Sequence, residues 1–445
     1  TTIFDNAHNN TNDNVTLSET VSGDDEIEDN PMQNPFLFQG DIMLTEKQMK
    51  NVIAELQDQI DNQTDIANHV VQNQTDVGDF VTREKRSILS VIDYPWQFPI
   101  KYFLPSDYSN AEKNVIDRAL TEIEDNTCIR FEEQDREISG TPGINVIASK
   151  SRGLCWSHIG QHFPNAPQTL ILGNACLINS IIQHEFGHAL GLYHEQSRPD
   201  RDNYLNIHDE NIIDSMKSQF VKSTANSVKD YGVKFDFGST MLYGDDFASK
   251  NEKKTMTPKD EIYSEDLGQQ ERFSFSDYKI LNFHYCNTTC STQITCSNGG
   301  YQNPNSCQQC LCPNGFSGPS CQYVNRTTSN CGNIHLTATT AIQTLTQSGA
   351  KNCHYAITTD PNHKIGIFVY DLKITNATYK FPCSVGKGLE IKFGKDMTNS
   401  GAAFCGSLLT TPSTPKLMIS ASNIVMVHYP GAAATHTFSL KYFRL

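Results

Sequence analysis

The stretch that carries the strongest pattern in the chain is Gln183-His184-Glu185-Phe186-Gly187-His188-Ala189-Leu190-Gly191-Leu192-Tyr193-His194-Glu195. His184 and His188 are four residues apart, so on a helix they share a face and can bind one metal ion. Gly191 can adopt the left-handed conformation that ends a helix, and the chain can then bring His194 to the same ion. Three imidazoles suit zinc and leave one coordination position open, and Glu185 is placed to hold a water molecule there.

A buried helix with incidental histidines is the alternative interpretation of this stretch. An apolar face supports it, made of Ile178, Ile181, Ile182, Ala189 and Leu190. However, five required residue types at fixed offsets rarely arise by chance, and this favours the metal site. The full pattern, H-E-x-x-H-x-x-G-x-x-H, is the metzincin form of the zinc-protease motif.

The residues after His194 make the resemblance narrower. The chain continues Glu195-Gln196-Ser197-Arg198-Pro199-Asp200-Arg201-Asp202-Asn203-Tyr204, which resembles the extended signature of the astacin family of secreted zinc endopeptidases. Two further segments resemble that family, Asn126-Thr127-Cys128-Ile129-Arg130-Phe131 and Phe235-Asp236-Phe237-Gly238-Ser239-Thr240-Met241-Leu242-Tyr243. The domain order that we expect below is common among nematode members.

The resemblance implies a role for each of several residues. Glu185 would be the general base that takes the proton of a zinc-activated water, and the phenol of Tyr243 would stabilise the oxyanion. Met241 would form the methionine turn beneath the metal. Glu195 would pair with the amine of Ser87 after activation. The implied ligands of one Zn²⁺ are His184, His188 and His194.

Two positions depart from the family pattern. The loop Ser157-His158-Ile159-Gly160-Gln161-His162 stands where the family usually has a Gly-Gly pair, and Leu242 stands where His is common. We interpret His158 and His162 as surface residues rather than metal ligands.

An inhibitory segment is predicted before the protease. Phe38-x-Gly40-Asp41 resembles the propeptide motif of the family, in which the Asp carboxylate takes the open zinc position; the alternative is an apolar anchor before a turn. Thr45-Glu46-Lys47-Gln48 is typical of a capping box. The helix that follows, over residues 46–60, has an apolar face that we expect to dock on the protease: Met49, Val52, Ile53, Leu56 and Ile60.

A basic cluster ends this segment. Arg83-Glu84-Lys85-Arg86 matches what furin-like secretory convertases cut, although it can also be an ordinary solvated charge run. Cleavage after Arg86 would make Ser87 the new N-terminus and Trp96 the tenth residue. The family usually has Leu-Trp or a similar pair at this place, and this chain has Pro95-Trp96. Residues 1–34 are rich in Asn, Asp, Glu and Thr, and we predict that they are disordered.

Composition points to a secreted protein. The 14 cysteines indicate an oxidising compartment, and N-x-S/T sequons agree with secretion. Residues 1–86 hold 17 Asp and Glu against 5 Lys and Arg, so they carry most of the net charge of −15, and nothing suggests nucleic-acid binding.

The sequence has no apolar run long enough to be a transmembrane segment. The chain starts with Thr1, and we expect that a signal peptide has been removed. The sequons are at Asn9, Asn14, Asn62, Asn73, Asn287, Asn325 and Asn376.

The predicted fold class is multidomain. We expect a propeptide over 1–86, an α+β metzincin protease domain over 87–286, a small disulfide-rich EGF-like module over 287–322 and an all-β CUB sandwich over 331–445. The connectivity of Cys290, Cys296, Cys307 and Cys310 stays open. The pairs that the resemblance implies are Cys128–Cys286, Cys155–Cys176, Cys312–Cys321, Cys331–Cys353 and Cys383–Cys405.

These features together predict a secreted zinc endopeptidase made as a zymogen. Its partners would be an extracellular protein substrate, a furin-like convertase and a protein ligand of the CUB domain. A non-catalytic binding protein that keeps the protease fold as a scaffold is one alternative, but such relatives usually lose a ligand or the glutamate. A zinc hydrolase that acts on another bond is a second, and the match over residues 195–204 argues against it.

Overall fold

A computed structural model describes the parts of the chain that carry the predicted site. These are residues 37, 39, 41–45, 47–50, 53, 88–89, 94–149, 154–223, 228–269, 271–326, 330–374, 383, 386–409 and 416–445. The predictions of disorder over 1–34, of cleavage at Arg86 and Ser87, and of the motif positions Phe38 and Gly40 lie outside these residues.

A six-stranded mixed sheet and three helices form the first unit. The strands are β1 (Ile42–Met43), β2 (Ile88–Leu89), β3 (Ile100–Phe103), β4 (Phe131–Gln134), β5 (Gly143–Ile147), β6 (Cys155–His158) and β7 (Pro167–Leu172); the helices are α1 (Asn110–Asn126), α2 (Asn179–Ala189) and α3 (Phe275–Tyr285). The sheet order is β1-β6-β7-β5-β3-β4, and β2 lies outside it. Only the β6–β7 pair is antiparallel among the described pairings of this sheet.

Local sequence explains where the flanking helices begin. Ser109 and Ser274 each cap a helix and form a capping box, with Glu112 in α1 and Asp277 in α3. Helix α1 buries Ile116, Ala119, Leu120 and Ile123, which recur at helical spacing. Two short sheets complete the unit: β8 (Leu205–Ile207) with β10 (Met256–Pro258), and β9 (Val228–Lys229) with β2.

The expected docking of the propeptide helix is wrong for the residues that can be assessed. Thr45 and Gln48 exchange the two hydrogen bonds of a capping box, at 3.1 and 3.2 Å. However, Met49 is 44% exposed and Ile53 is 56% exposed. Gln48 faces the protease instead, because its Nε2 donates to Ile159 O at 3.2 Å. A helix turns by about 100° per residue. The side chains of Met49 and Ile53 therefore point about 100° and 140° around the helix axis from the side chain of Gln48.

Two further units follow. The first has two hairpins, β11 (Tyr301–Gln302) with β12 (Cys310–Leu311) and β13 (Phe316–Ser317) with β14 (Tyr323–Val324), so it extends past the expected boundary at residue 322. The second consists of two five-stranded sheets. Their strands are β15 (His335–Thr337), β16 (Gln343–Ser348), β17 (Asn352–Thr358), β18 (Ile365–Ile374), β19 (Leu389–Lys392), β20 (Ala402–Phe404), β21 (Gly406–Leu409), β22 (Met418–Ile419), β23 (Ile424–Pro430) and β24 (Thr437–Arg444).

Disulfides join all of the cysteines in the described units. The structure links the five pairs that the resemblance implied, and it adds Cys290–Cys307 and Cys296–Cys310 for the four cysteines whose partners were left open. No helix in the described part of the chain is both long enough and apolar enough to cross a membrane.

Candidate metal centre

Helix α2 and the turn after it bring three histidines together. Every residue of α2 from Ser180 to Ala189 is buried. The chain reverses at Gly191, whose φ is +97°, and returns His194 to the helix. The Nε2 atom of His184 then lies 3.0 Å from that of His188 and 3.1 Å from that of His194.

Each of these imidazoles is oriented by an oxygen that faces its Nδ1 atom. The oxygens are Thr240 O at 2.9 Å from His184, Leu192 O at 2.7 Å from His188, and Gln39 Oε1 at 2.9 Å from His194. Because these oxygens only accept, each Nδ1 carries the proton and each Nε2 presents a lone pair. Lone pairs that converge at this distance repel one another, so the arrangement calls for a shared cation.

Asp41 completes the cluster. Its Oδ2 lies 3.1 Å from His184 Nε2 and 3.3 Å from His194 Nε2, and its Oδ1 lies 3.4 Å from His188 Nε2. The four ligand atoms all lie within 4.8 Å of one another. Atoms that bind a tetrahedral zinc at about 2.0–2.1 Å are about 3.3 Å apart, so this donor set fits one Zn²⁺.

The charges in the cluster also suit a divalent cation. Burial lowers the pKa of His194 to about 3 and lowers the pKa of His188, which keeps both imidazoles neutral. Burial alone would raise the pKa of the Asp41 carboxyl, but the charge that His194 and His188 carry when they are protonated outweighs burial and holds that pKa well below its usual range. The result is a carboxylate beside neutral imidazoles, which are the protonation states that bind metal.

Two polar side chains beside the cluster do not belong to the donor set. Glu185 is fully buried, and neither of its carboxylate oxygens has a hydrogen-bond partner among the described residues. Burial, and then the charge of Asp41, raise its pKa well above the usual range. The Tyr243 hydroxyl donates to Gln39 O, and its ring centroid lies 4.4 Å from that of His194. Burial raises the pKa of Tyr243 as well, so the phenol stays a donor.

Comparison with known proteins places this site in a family. A sequence profile of the astacin peptidase family matches residues 89–286, which include the three histidines and Tyr243. The chain belongs to the astacin family. It is 37% identical to zinc metalloproteinase nas-34 of Caenorhabditis elegans and 33% identical to zinc metalloproteinase nas-36 of Brugia malayi.

These matches differ in how much of each protein they cover. The nas-34 match covers 94% of this chain and 66% of nas-34, and the nas-36 match covers 83% of this chain and 64% of nas-36. The chain therefore spans about two thirds of the length of these relatives. A solved structure, the hatching enzyme HCE-1 of Oryzias latipes, is 30% identical, with 45% of this chain and 98% of that chain covered and a TM-score of 0.40.

Two other predicted site residues of this astacin, Met241 and Glu195, are buried and hydrogen-bonded to each other through their main chains. Met241 is buried, and its carbonyl accepts a hydrogen bond from Glu195 N at 2.8 Å. The Glu195 carboxylate accepts from Asp236 N at 2.9 Å and lies 3.5 Å from Arg198 Nη1. Burial raises the pKa of Glu195 to about 8, against the opposing effect of Arg198.

The altered loop of this astacin contacts the segment that carries Asp41. His158 and His162 are half-buried rather than fully exposed, and their ring centroids lie 4.6 Å apart. His158 Nδ1 lies 3.1 Å from Met43 O, because β1 pairs with β6 alongside this loop. Neither histidine belongs to the described metal cluster.

Sequence reasoning missed Gln39 and Gln219. Gln39 orients His194 through its side chain, and it has a positive φ of 50° that no motif rule required. Gln219 contacts Leu37, a residue 182 positions away, so the local pattern around either residue carries no signal of the contact.

Proposed function

We propose that this chain is a secreted zinc endopeptidase that is made as a latent zymogen and hydrolyses peptide bonds of extracellular proteins. One observation carries the proposal: Asp41, from a segment before the protease unit, lies among His184, His188 and His194 with all four ligand atoms within 4.8 Å. Family membership supports the same activity.

The histidines would hold the zinc, and Glu185 and Tyr243 would act on the reacting atoms. Zinc in this position supplies Lewis-acid chemistry, because it lowers the pKa of water and polarises a carbonyl. Glu185 takes the proton of the attacking water as the new carbon–oxygen bond forms, and it gives that proton to the amine as the carbon–nitrogen bond breaks. The Tyr243 hydroxyl donates to the oxyanion of the tetrahedral state.

Asp41 would keep the enzyme latent, since its carboxylate occupies the fourth ligand position. Cleavage after Arg86 by a furin-like convertase would release the segment and free the Ser87 amine. That amine would then pair with Glu195, whose carboxylate is already buried. The pairing should follow the cut, because an unpaired buried charge is costly.

The later units would serve recognition. We assign residues 287–324 to an EGF-like module, supported by its two hairpins and three disulfides, and residues 331–445 to a CUB domain, supported by its two five-stranded sheets. A protein ligand of the CUB domain would bring the protease to its substrate.

The test compares activity before and after the cut. We expect uncleaved wild-type protein to bind one zinc ion per chain and to leave casein intact, and the cleaved protein to digest casein until a chelator is added. Asp41→Ala should digest casein without cleavage, whereas the matched control Asp58→Ala should stay latent.

Two results would contradict the scheme. If no form digests any protein while zinc is bound, the chain is a binding protein on a protease scaffold. If Asp41→Ala is fully latent at wild-type zinc content, the carboxylate is not the inhibitor.

A further inference from the structure

The segment that carries Asp41 is held across the metal cluster by its main chain. Three carbonyls at alternate positions each accept a hydrogen bond from a different element. The donors are Gln219 Nε2 to Leu37 O at 2.8 Å, the Tyr243 hydroxyl to Gln39 O, and Ser157 N to Asp41 O at 2.9 Å. Each of these contacts is made to a main-chain carbonyl, so none of them depends on the side chains of the segment.

Gln219 is the donor farthest from β6 along this series. Its side chain has no exposed surface, and the nitrogen must face Leu37 because a carbonyl oxygen can only accept. Its Oε1 atom accepts no hydrogen bond from the residues that the structure describes. A buried amide N–H that lacks an acceptor costs free energy. The position next to Gln219 Nε2 therefore favours an occupant that presents a carbonyl oxygen.

The position of Gln219 relative to Tyr243 is fixed by packing. The ring of the next residue, Phe220, lies 6.1 Å from that of Tyr243, measured between centroids. Phe220 O accepts from Arg201 Nη1 at 2.7 Å, and the same nitrogen donates to Gln196 O at 2.9 Å. Gln196 Oε1 in turn accepts from Tyr243 N at 3.2 Å. The two donors therefore belong to one packed body, which sets the distance between them.

We infer that Gln219 is a substrate-binding residue that donates a hydrogen bond to a main-chain carbonyl of the peptide substrate. That carbonyl would lie two residues from the one that faces Tyr243, which is the spacing of Leu37 and Gln39. The inference rests on the proposed peptidase function, in which removal of the Asp41 segment frees both donors. The Gln219 contact would hold the polypeptide at a point two residues away from the carbonyl that faces Tyr243.

The experiment is a double-mutant cycle on the full chain, activated by cleavage and loaded with zinc. Gln219→Met keeps the length of the side chain and removes the amide. It is paired with peptides in which one amide, two residues from the scissile carbonyl on either side, is replaced by a trans-alkene that lacks the oxygen. Ser218→Ala, at an exposed neighbour, is the control variant.

One of the two alkene positions should couple to Gln219. On the all-amide peptide, Gln219→Met should lower kcat/KM about 3- to 10-fold, as expected for one neutral hydrogen bond. On the alkene peptide of the correct side, wild type should fall to the level of the variant, and the further effect of Gln219→Met should be at least about threefold smaller.

The other outcomes separate the inference from the function beneath it. Equal losses from Gln219→Met on all of the peptides, or a matching loss in Ser218→Ala, would overturn the role of Gln219, because a merely structural effect is independent of the substrate carbonyl. If activated wild type with bound zinc cleaves no peptide at all, the proposed function fails instead.

Discussion

Glu185 lies between two of the histidines in the sequence but takes no part in the donor set. Its carboxylate is fully buried beside Asp41 and has no hydrogen-bond partner in the described part of the chain. We expect Glu185→Gln to lower kcat by about 10²- to 10⁴-fold after activation, because the amide has the same shape but cannot take a proton. Zinc content, measured by mass spectrometry, should stay at one ion per chain.

The exposed residue Glu210 offers a control for the same chemical change. Glu210→Gln should keep wild-type kcat and zinc content. A Glu185→Gln enzyme that retains full activity would remove the proposed base, and one that loses its zinc would make Glu185 a ligand or a support for one.

At the scale of residues, the sequence predicted what depends on local spacing. His184 and His188 converge because they are one helical turn apart, and His194 follows from a turn at Gly191. Gln39 and Gln219 could not be predicted, since each contacts a residue more than 150 positions away and nothing in the neighbouring sequence encodes the approach.

Helix α2 depends on how it ends. Gly191 has a φ of +97°, and its carbonyl accepts from Leu89 N at 2.9 Å, so a change there would disturb the turn that presents His194. Gly191→Ala should lower the free energy of unfolding by about 1–2 kcal/mol, the cost of a left-handed L-residue. It should also weaken zinc binding by about 10- to 100-fold, as loss of ligand orientation usually does.

Gly140 gives a matched comparison, because it has a φ of +66°, is exposed, and leaves open space where a Cβ would go. Gly140→Ala should lose similar stability in a thermal melt but keep wild-type zinc affinity in a chelator competition. Equal zinc affinity in both variants would show that the turn at Gly191 does not position His194.

At the scale of elements, the N-terminal cap of a helix was easier to predict than the side of the helix that contacts the protease. The capping pair Thr45 and Gln48 could be predicted from the sequence because its partners are three residues apart. The docking face of the same helix was not, because the contact of Gln48 with Ile159 decides which side faces the protease. Apolar periodicity alone cannot give that rotation, and Met49 and Ile53 remain exposed.

At the scale of the whole molecule, the last unit packs against the protease. Asn399 Nδ2 donates to Phe235 O at 2.6 Å, Ser400 N donates to Asp236 Oδ1 at 3.0 Å, and Ala403 N donates to Asp266 Oδ1 at 2.9 Å. Asp236 N also donates to the Glu195 carboxylate, so this contact reaches a residue that follows the ligand His194 directly. No motif predicted it, since motifs describe each unit separately.

Asp266 makes this contact sensitive to pH. Burial raises its pKa well above the usual range against the opposing Ala403 hydrogen bond, and Glu390 and Asp236 add to the rise. The folded chain therefore keeps a proton that the unfolded chain releases near pH 4, so stability falls as pH rises through this window. We expect Asp266→Asn, which carries no charge, to have a higher Tm than wild type at pH 7 and a similar Tm near pH 4.

The control for this prediction is Asp209→Asn, at an exposed position. Its Tm should follow that of wild type across the whole range from acid to neutral pH. If Asp266→Asn follows wild type as well, the buried carboxyl does not set the pH dependence of the contact.

The hydrogen bonds to the carbonyls of Leu37, Gln39 and Asp41 bind the segment intramolecularly before the proposed cut and as a separate molecule after it. While the segment is part of the chain, its carboxylate competes for the site at a fixed effective concentration that dilution cannot change. After the proposed cut, the same segment is a separate solute whose binding obeys mass action. Activation in a crowded secretory compartment would then be self-limiting, whereas release into a large extracellular volume would make it complete.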